Sequence, residues 1–261
     1  ASDLVTIEDD VPEDDNSNLE ELSDQPTLVT LSTSGLLGRR SPNEEFTAKP
    51  GRHDVIARSL ETSGFSVISA VTDQGRVLSV RAREIPEMVR GSRGASVTEM
   101  FSLSRGEKVV GLFGDGSDPV ILITRNGVAK RLEADALKRL RSGSSAINLK
   151  GDDRVASAFV ASEDSEIVMV ASDGQALRTA ANGISLQGPG AGGVAGMKLK
   201  PGSNVMAAGI VEFGAAVVVI SDEGAIKATD VAEIPAKGRA TGGVRTVKWR
   251  DFETTASFGW V

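Results

Sequence analysis

The chain repeats one short pattern five times: a run of apolar, mostly β-branched residues that ends in a polar turn and a glycine. The clearest copy is VILITRNG, residues 120–127. The turn glycines of the five copies are Gly35, Gly75, Gly127, Gly174 and Gly224. Three positions before the glycine stands Ser or Thr, except in the fourth copy, which has Ala171. The runs are short and rich in Val and Ile, which favours strands over helices. Each copy therefore predicts a β-hairpin.

Two kinds of hairpin turn are expected. Asn126-Gly127 and Asp173-Gly174 are typical of two-residue turns in which both residues adopt a positive φ. Asp73-Gln74-Gly75 and Asp222-Glu223-Gly224 favour a type I turn that a left-handed glycine closes.

A further strand-like segment precedes each hairpin except the first. These segments are residues 54–60, 107–113, 153–160 and 203–211. A last such segment, 252–261, has no hairpin after it, so we expect this C-terminal strand to complete the first unit and close a ring without a long exposed edge. The predicted fold is all-β and propeller-like, with five four-stranded antiparallel sheets, or six as the alternative count.

The composition limits the class of protein. The chain has 261 residues and 40% hydrophobic content, which suits one large all-β domain. It contains no cysteine, which excludes disulfides and thiolate metal sites and fits a reducing, cytoplasmic location. No apolar run reaches the length of a membrane span, and the chain starts without a signal sequence, like a fragment of a longer protein.

Charge divides the chain into two parts. Residues 1–25 hold ten acidic and no basic residues, which predicts a flexible acidic linker. Residues 26–261, the predicted folded domain, then hold 26 acidic and 29 basic residues. The linker either serves solubility or acts as a negative arm that competes with nucleic acid for the basic body.

The residues of common catalytic and metal sites are missing or isolated. His53 is the only histidine, and it lies in a segment typical of a loop. The stretch GPGAGG, residues 188–193, lacks the Lys-Ser/Thr of a phosphate-binding loop, so we interpret it as a connection between strands. No His/Cys cluster has metal-ligand spacing, and no serine lies in a nucleophile elbow. We therefore expect neither a catalytic residue nor a metal site.

Basic residues recur in the second arm of the hairpins, at similar distances from the turn glycine, and in the small-residue loops that follow. Duplex DNA presents a dense row of phosphates, which a ring with a cation on each blade could follow without reading bases. The low aromatic content, 4%, argues against single strands, which bind by stacking. The candidate DNA contacts are Arg39, Arg40, Arg76, Arg90, Arg93, Lys130, Arg131, Arg141, Arg178, Lys227, Lys237, Arg239 and Arg245.

Other interpretations of the same cations stay open. In the first interpretation, the cations are ordinary solvated residues. In the second, the ring is a scaffold that binds proteins through an apolar or acidic face. A continuous outer belt of cations would favour DNA, whereas scatter or a cluster at one mouth of the ring would favour the scaffold. A propeller enzyme would need catalytic constellations of histidine or paired acids, and the sequence shows none.

Four longer segments then carry a resemblance to a known family. They are EIPEMVRGSRG (84–94), AINLKGDDRVASA (146–158), LQGPGAGGVAGMKLKPGSNV (186–205) and KGRATGGVRTVKW (237–249). Together with the hairpin repeat, they resemble the C-terminal domain of the A subunit of bacterial type IIA topoisomerases, the family of DNA gyrase and topoisomerase IV. The resemblance runs from about residue 26 to 261, and residues 2–15 look like the family's connection to its catalytic core.

The resemblance implies a β-pinwheel, whose blades exchange strands, and a non-catalytic domain that bends duplex DNA around a basic rim. The parent enzyme uses a tyrosine nucleophile, and this chain contains no tyrosine, so the catalytic residues are expected upstream of Ala1. No cofactor is expected in this chain; ATP and magnesium would bind elsewhere in the parent enzyme. Implied partners are double-stranded DNA and the topoisomerase B subunit, with a monomeric fragment and a dimeric parent A subunit.

One departure separates the two branches of the family. Gyrase carries a Gln-Arg-Arg-Gly-Gly-Lys-Gly-type box in its first blade, where this chain has Lys49-Pro50-Gly51-Arg52-His53. This departure and the five units, where gyrase usually has six, favour a topoisomerase IV domain that guides decatenation and relaxation. A gyrase-type wrapping domain with a degenerate box is the alternative.

Overall fold

The computed structural model describes residues 24–43, 54–88, 94–248 and the backbone of 255–260. Within these ranges the chain forms five separate antiparallel sheets, each built on one of the five repeated hairpins. The first ten strands are β1 (Pro26–Ser32), β2 (Leu36–Arg40), β3 (Ile56–Ser63), β4 (Val67–Thr72), β5 (Val77–Arg81), β6 (Ala95–Ser96), β7 (Val109–Phe113), β8 (Val120–Thr124), β9 (Val128–Leu132) and β10 (Val155–Val160). The others are β11 (Glu166–Ala171), β12 (Gln175–Ala180), β13 (Val194–Ala195), β14 (Val205–Ile210), β15 (Ala216–Ser221), β16 (Ile226–Asp230), β17 (Val244–Arg245) and β18 (Thr255–Trp260).

The only α-helices among the described residues are two short ones, α1 (Val97–Met100) and α2 (Ala134–Lys138). We number the sheets by their hairpins. Their strand orders are β3-β1-β2-β6 in sheet 1, β5-β4-β7 in sheet 2, β10-β8-β9-β13 in sheet 3, β14-β11-β12-β17 in sheet 4 and β16-β15-β18 in sheet 5.

The third strand of each sheet follows its hairpin along the chain, which makes the predicted closure of the ring wrong. β10 pairs with β8 of the hairpin before it, and β18 pairs with β15 of sheet 5, not with the first unit. The first unit already has β3, which pairs with β1. An alternating strand has the same sequence pattern whichever hairpin it joins, so the path of the connecting chain decides its partner.

That connecting path crosses the neighbouring sheet before it returns. After the hairpin of sheet 4, the chain pairs β13 with β9, the outer strand of sheet 3, and only then enters β14. β6 and β17 cover the outer strands of sheets 1 and 4 in the same way. Residues 143–146 cover sheet 2 through a bridge from Ser145 to Arg76 and hydrogen bonds with Val77. The sheets therefore exchange edge segments, as the family resemblance implies.

Glycine is required where these covering segments begin. Gly193 has φ +84°, and a Cβ there would lie 2.8 Å from the carbonyl oxygen of Ala129 on the covered strand. Only a residue without a side chain allows the two backbones to approach so closely.

All five hairpins use one turn, which corrects the two-residue turns predicted at Asn126 and Asp173. The amide of the turn glycine donates to the carbonyl three residues earlier, as from Gly127 to Thr124 at 3.0 Å, and of these turn residues only the glycine has a positive φ. The Thr124 hydroxyl then accepts from the Val128 amide at 3.2 Å. This bond, repeated at Ser32, Thr72 and Ser221, explains the hydroxyl residue of the repeat.

The hydrophobic core is divided into four clusters, each between two successive sheets. Between sheets 3 and 4, Ile121 and Ile123 pack with Met169 and Leu177. Corresponding clusters join sheet 1 to 2, 2 to 3 and 4 to 5. The third strands of successive sheets contact one another, from β3 to β18, so they lie on the inner side while the covered strands lie outside. The all-β, propeller-like prediction is confirmed.

Candidate nucleic-acid interface

The predicted DNA contacts fall into three structural groups. Arg90 and Arg93 lie outside the described residues, as do His53 and the loop that replaces the gyrase box. The cations of the second hairpin arms form one group, and those of the outer loops form another.

The arginines four residues after the turn glycine cross to a neighbouring part of the fold. Arg39 Nε donates to the carbonyl oxygen of Ile85 at 2.8 Å. Arg178 Nη1 donates to the carbonyl oxygen of Val231 at 3.2 Å, and its Nε donates to Glu166 Oε2 at 2.8 Å. These two side chains therefore bind the next sheet to their own.

Arg131 occupies the same repeat position and is only 6% exposed. Its Nε and Nη1 have no hydrogen-bond partner within the described part of the chain. Sheet 3 has Pro119 where sheet 4 has the Glu166 that binds Arg178. The Arg131 guanidinium is therefore buried without an equivalent of the Glu166 carboxylate that binds Arg178.

Lys130 is fully buried, so its amine is not available on the outer surface. Its Nζ donates to the carbonyl oxygens of Ala146, Pro189 and Ala191 at 2.7, 2.7 and 2.8 Å. Burial lowers the pKa of Lys130 to about 8, which leaves the amine largely protonated at neutral pH. Lys130 joins three segments of the rim, and we remove it from the proposed DNA contacts.

Arg76 is occupied by an ion pair. Its Nε and Nη2 donate to the two carboxylate oxygens of Glu107 at 2.9 and 2.5 Å, and the Glu107 side chain is fully buried. Burial alone would raise the pKa of Glu107, but hydrogen bonds from Arg76, Thr72 and the Ser104 amide outweigh it and lower that pKa to about 2. This pair fixes the loop before β7 against the hairpin of sheet 2.

The remaining predicted contacts lie on the outer loops and edge strands. Arg239 is half-buried and donates to the carbonyl oxygens of Gly183 and Ala195 at 2.8 and 3.0 Å. Lys237 is exposed and donates to the Gly243 carbonyl oxygen at 3.1 Å. Arg40 is half-buried. Arg141, Lys227 and Arg245 are exposed and have no ion pair within the described residues.

Sequence reasoning missed a second set of cations, beside the hairpin turns. They lie in the turn of sheet 3 and in the segments that lead from a covering strand back to a third strand. We call them the turn-side row: Arg105, Lys108, Arg125, Lys150, Arg154, Lys198, Lys200 and Lys248. The sequence signal for them was a basic residue within two positions of a left-handed glycine, before a third strand, as at Gly106, Gly151 and Gly202.

Other kinds of site receive no support from the part of the chain that the structure covers. There, His, Cys, Asp and Glu form no group of three that could hold a metal ion. None of the helices in these ranges is long and apolar enough to cross a membrane. A propeller-like series of antiparallel sheets with exposed arginines and lysines defines the class: an all-β domain suited to a polyanionic partner.

Comparison with known families is consistent with this class. The sequence model of the family described as DNA gyrase C-terminal domain, beta-propeller, matches residues 68–113, 118–162, 165–212 and 215–252. The chain belongs to this family, the C-terminal domains of type IIA topoisomerase A subunits, which confirms the resemblance seen in the sequence. The match covers four blades instead of the predicted five or six, those built on the hairpins of sheets 2 to 5; the β1–β2 hairpin lies outside it, although the structure forms a fifth sheet there.

Individual relatives agree. The chain is 33% identical to the A subunit of DNA gyrase from Aminobacterium colombiense over 211 residues, which are 75% of this chain and 24% of that protein. It thus spans about a quarter of the length of this curated relative. The crystal structure of the C-terminal domain of DNA topoisomerase IV superposes with a TM-score of 0.81 at 23% identity, over 92% of this chain and 79% of that one. The C-terminal domain of DNA gyrase A superposes with a TM-score of 0.53 at 18% identity, over 90% and 99%.

Proposed function

We propose that this chain binds duplex DNA without sequence preference and bends it around the propeller-like body. The observation that carries the proposal is the set of exposed cations that have no ion-pair partner among the described residues, such as Arg141, Arg245, Arg125 and Lys150. Cations that neutralise phosphates release counterions, which drives binding to any sequence. Bending a short duplex costs a few kcal/mol, which several such contacts together can offset.

In the parent protein, this domain would guide DNA for strand passage by a topoisomerase. The chain has no tyrosine, so it does not supply a tyrosine nucleophile itself. We propose that the parent A subunit is dimeric, acts with a B subunit that binds ATP and magnesium, and receives its DNA path from this domain.

Between the two branches of the family, we propose the topoisomerase IV type, which decatenates and relaxes DNA. The sequence of residues 49–53 supports it, because the basic box of gyrase is replaced there. Gyrase-type chiral wrapping is the second candidate, and the sequence identity to the A subunits of gyrases favours it.

Two measurements test the proposal. Duplex affinity of the 261-residue chain should fall linearly on a plot of log affinity against log salt, with a slope of about −0.9 for each phosphate contact. A flat plot would overturn DNA binding and favour the protein scaffold. Ligation of nicked circles in the presence of the chain then separates the branches. Bending without a change in linking number supports topoisomerase IV, and a change supports chiral wrapping.

A further inference from the structure

The two ends of the sheets differ in charge. Every hairpin has a turn end and an opposite end, so the body has a turn side, which carries the turn-side row, and an opposite side. Among the described residues, the only ion pair in this row joins Lys200 Nζ to Asp173 Oδ2 at 3.0 Å. The other members have no ion-pair partner there. The turn side of sheets 2 to 4 is therefore a basic surface.

The opposite side is acidic. Its exposed acids are Asp24, Glu84, Asp115, Asp118, Glu133, Asp135, Glu163, Asp164, Glu212, Asp230 and Glu233. Its exposed cations are Arg81, Arg83, Lys138 and Arg139, and the last two face Asp135 at 3.9 and 3.5 Å. A polyanion that approaches this side meets an excess of like charge.

Hydrogen bonds from backbone amides hold the turn-side loops in place. The Arg125 amide donates to the carbonyl oxygen of Arg154 at 2.8 Å, and the Asn126 amide donates to Asp153 Oδ1 at 3.0 Å. In sheet 2, the Lys108 amide donates to Asp73 Oδ1 at 3.0 Å and the Asp73 amide donates to the Lys108 carbonyl oxygen at 2.8 Å. The backbones of these loops are anchored to the hairpin turns, which fixes the positions from which their basic side chains project.

Acidic residues bound the row at both ends. The segment beside the turn of sheet 1 carries exposed Glu99, and the turn of sheet 5 carries exposed Asp222 and Glu223. Within the row the exposed acids are Asp152 and the partly exposed Asp173, the partner of Lys200. The basic surface is thus limited to sheets 2 to 4.

We propose that the turn-side row is the DNA track: the duplex lies along the edge where the outer surface meets the turn side of sheets 2 to 4, and the acidic opposite side excludes it. The inference rests on the proposed function and adds where the duplex lies. Arg245 on β17 is exposed close to the same edge, whereas Arg141 lies farther along the outer surface. The duplex would therefore cross the body off-centre, always on the same side.

Two triple variants of the 261-residue chain test this placement at equal loss of charge. Arg105→Gln/Lys150→Gln/Lys198→Gln removes three turn-side cations, and Arg81→Gln/Arg83→Gln/Arg139→Gln removes three from the opposite side. Anisotropy of a labelled linear duplex is measured from about 50 to 200 mM salt. The turn-side variant should lose about 10- to 100-fold in affinity and reduce the salt slope by about 2 to 3. The opposite-side variant should stay within about threefold of the unaltered chain.

A position-specific readout supplements the charge experiment. The chain has no cysteine, so a single introduced thiol can carry an iron chelate that cleaves nearby DNA. Asp152→Cys places it in the turn-side row, and Glu163→Cys places it on the opposite side; both positions are exposed. Cleavage of bound duplex is expected from Asp152→Cys and not from Glu163→Cys.

The outcomes separate the placement from the function. Equal losses in the two triple variants, or cleavage from Glu163→Cys equal to that from Asp152→Cys, overturn the turn-side track while DNA binding stands. If duplex binding is lost only in the double variant Arg141→Gln/Lys237→Gln, the duplex lies along the middle of the outer surface. That result also overturns the turn-side track. Failure of the unaltered chain to bind the duplex at any salt concentration overturns the proposed function together with the track.

Discussion

The cations of the second hairpin arms and those of the turn-side row are equally basic in sequence and differ in what surrounds them. In the arms, Arg76 and Arg178 bind carboxylates, and Lys130 binds three carbonyl groups. In the turn-side row, Arg125 and Lys150 have no such partner among the described residues. The two sets differ because a segment from the next unit pairs with the second arm of the hairpin and covers its side chains, whereas the hairpin turns are not covered.

A cation that is repeated in the sequence is not for that reason exposed in the fold. A cation that recurs at a fixed offset in a repeat can be retained because it joins neighbouring repeats, since each repeat contacts its neighbours in the same way. Lys130 and Lys227 have the same repeat position, yet only Lys227 is exposed, because no described segment covers β16. Predicted DNA contacts in such a fold therefore belong on uncovered positions.

The largest effect on stability is expected from Lys130→Met. The change removes the donor for three carbonyl groups, and leaving such buried groups unsatisfied costs about 1–3 kcal/mol each before relaxation. Urea unfolding should show a loss of about 3 kcal/mol. Lys227→Met is the matched control and should change the unfolding free energy by less than about 0.5 kcal/mol. Similar losses in both variants would contradict the structural role of Lys130.

Glu107→Gln should cost about 2–3 kcal/mol at neutral pH, since it leaves the partly buried Arg76 without its carboxylate. The folded pKa of Glu107, about 2, lies below its ordinary value of 4.5. Its contribution is therefore complete above pH 4.5 and is lost as the pH falls through 2. The difference between the unaltered and variant unfolding free energies should shrink over that window. Glu99→Gln, at an exposed position, is the control, and a difference independent of pH would contradict the assignment.

Two arginines at the same repeat position of the hairpin arms are expected to differ in their effect on stability. Arg178→Met removes hydrogen bonds to Glu166 and Val231 and should lower the unfolding free energy by about 1–2 kcal/mol. Arg131→Met removes a buried guanidinium whose Nε and Nη1 lack partners among the described residues, so stability should stay within about 0.5 kcal/mol or rise. Thermal and urea unfolding of the two variants test this order. An equal loss of unfolding free energy would show that Arg131, like Arg178, binds the next sheet to its own.

The smallest effect on stability belongs to the turn-side row. Arg125→Gln changes an exposed side chain and should alter the unfolding free energy by less than about 0.5 kcal/mol. The same substitution should reduce the slope of log duplex affinity against log salt by about 0.9. A large loss of stability with an unchanged slope would place Arg125 with the structural cations of the hairpin arms.

The five hairpins could be predicted from the sequence, because a strand pattern and a turn glycine are local signals. The Ser or Thr before each glycine was visible as a repeat, and the structure gives it a role through the bond from the Val128 amide to Thr124. The shared turn could not be read from Asn126-Gly127, since both candidate turns fit that dipeptide. The burial of Lys130 was equally hidden, because its acceptors lie up to 61 residues away in the chain.

Five hairpins, an all-β fold and, through the longer segments, the family follow from the order of the amino acids. Short-range physics suffices for the hairpins, because the strand period, the turn glycine and the hydroxyl bond lie within a few residues of one another. The pairing of β18 with sheet 5 and the exposure of individual cations depend instead on long-range packing. Both depend on a connecting segment that crosses the outer edge of one sheet before it returns to another. The sequence of a single repeat does not indicate which strand such a segment covers.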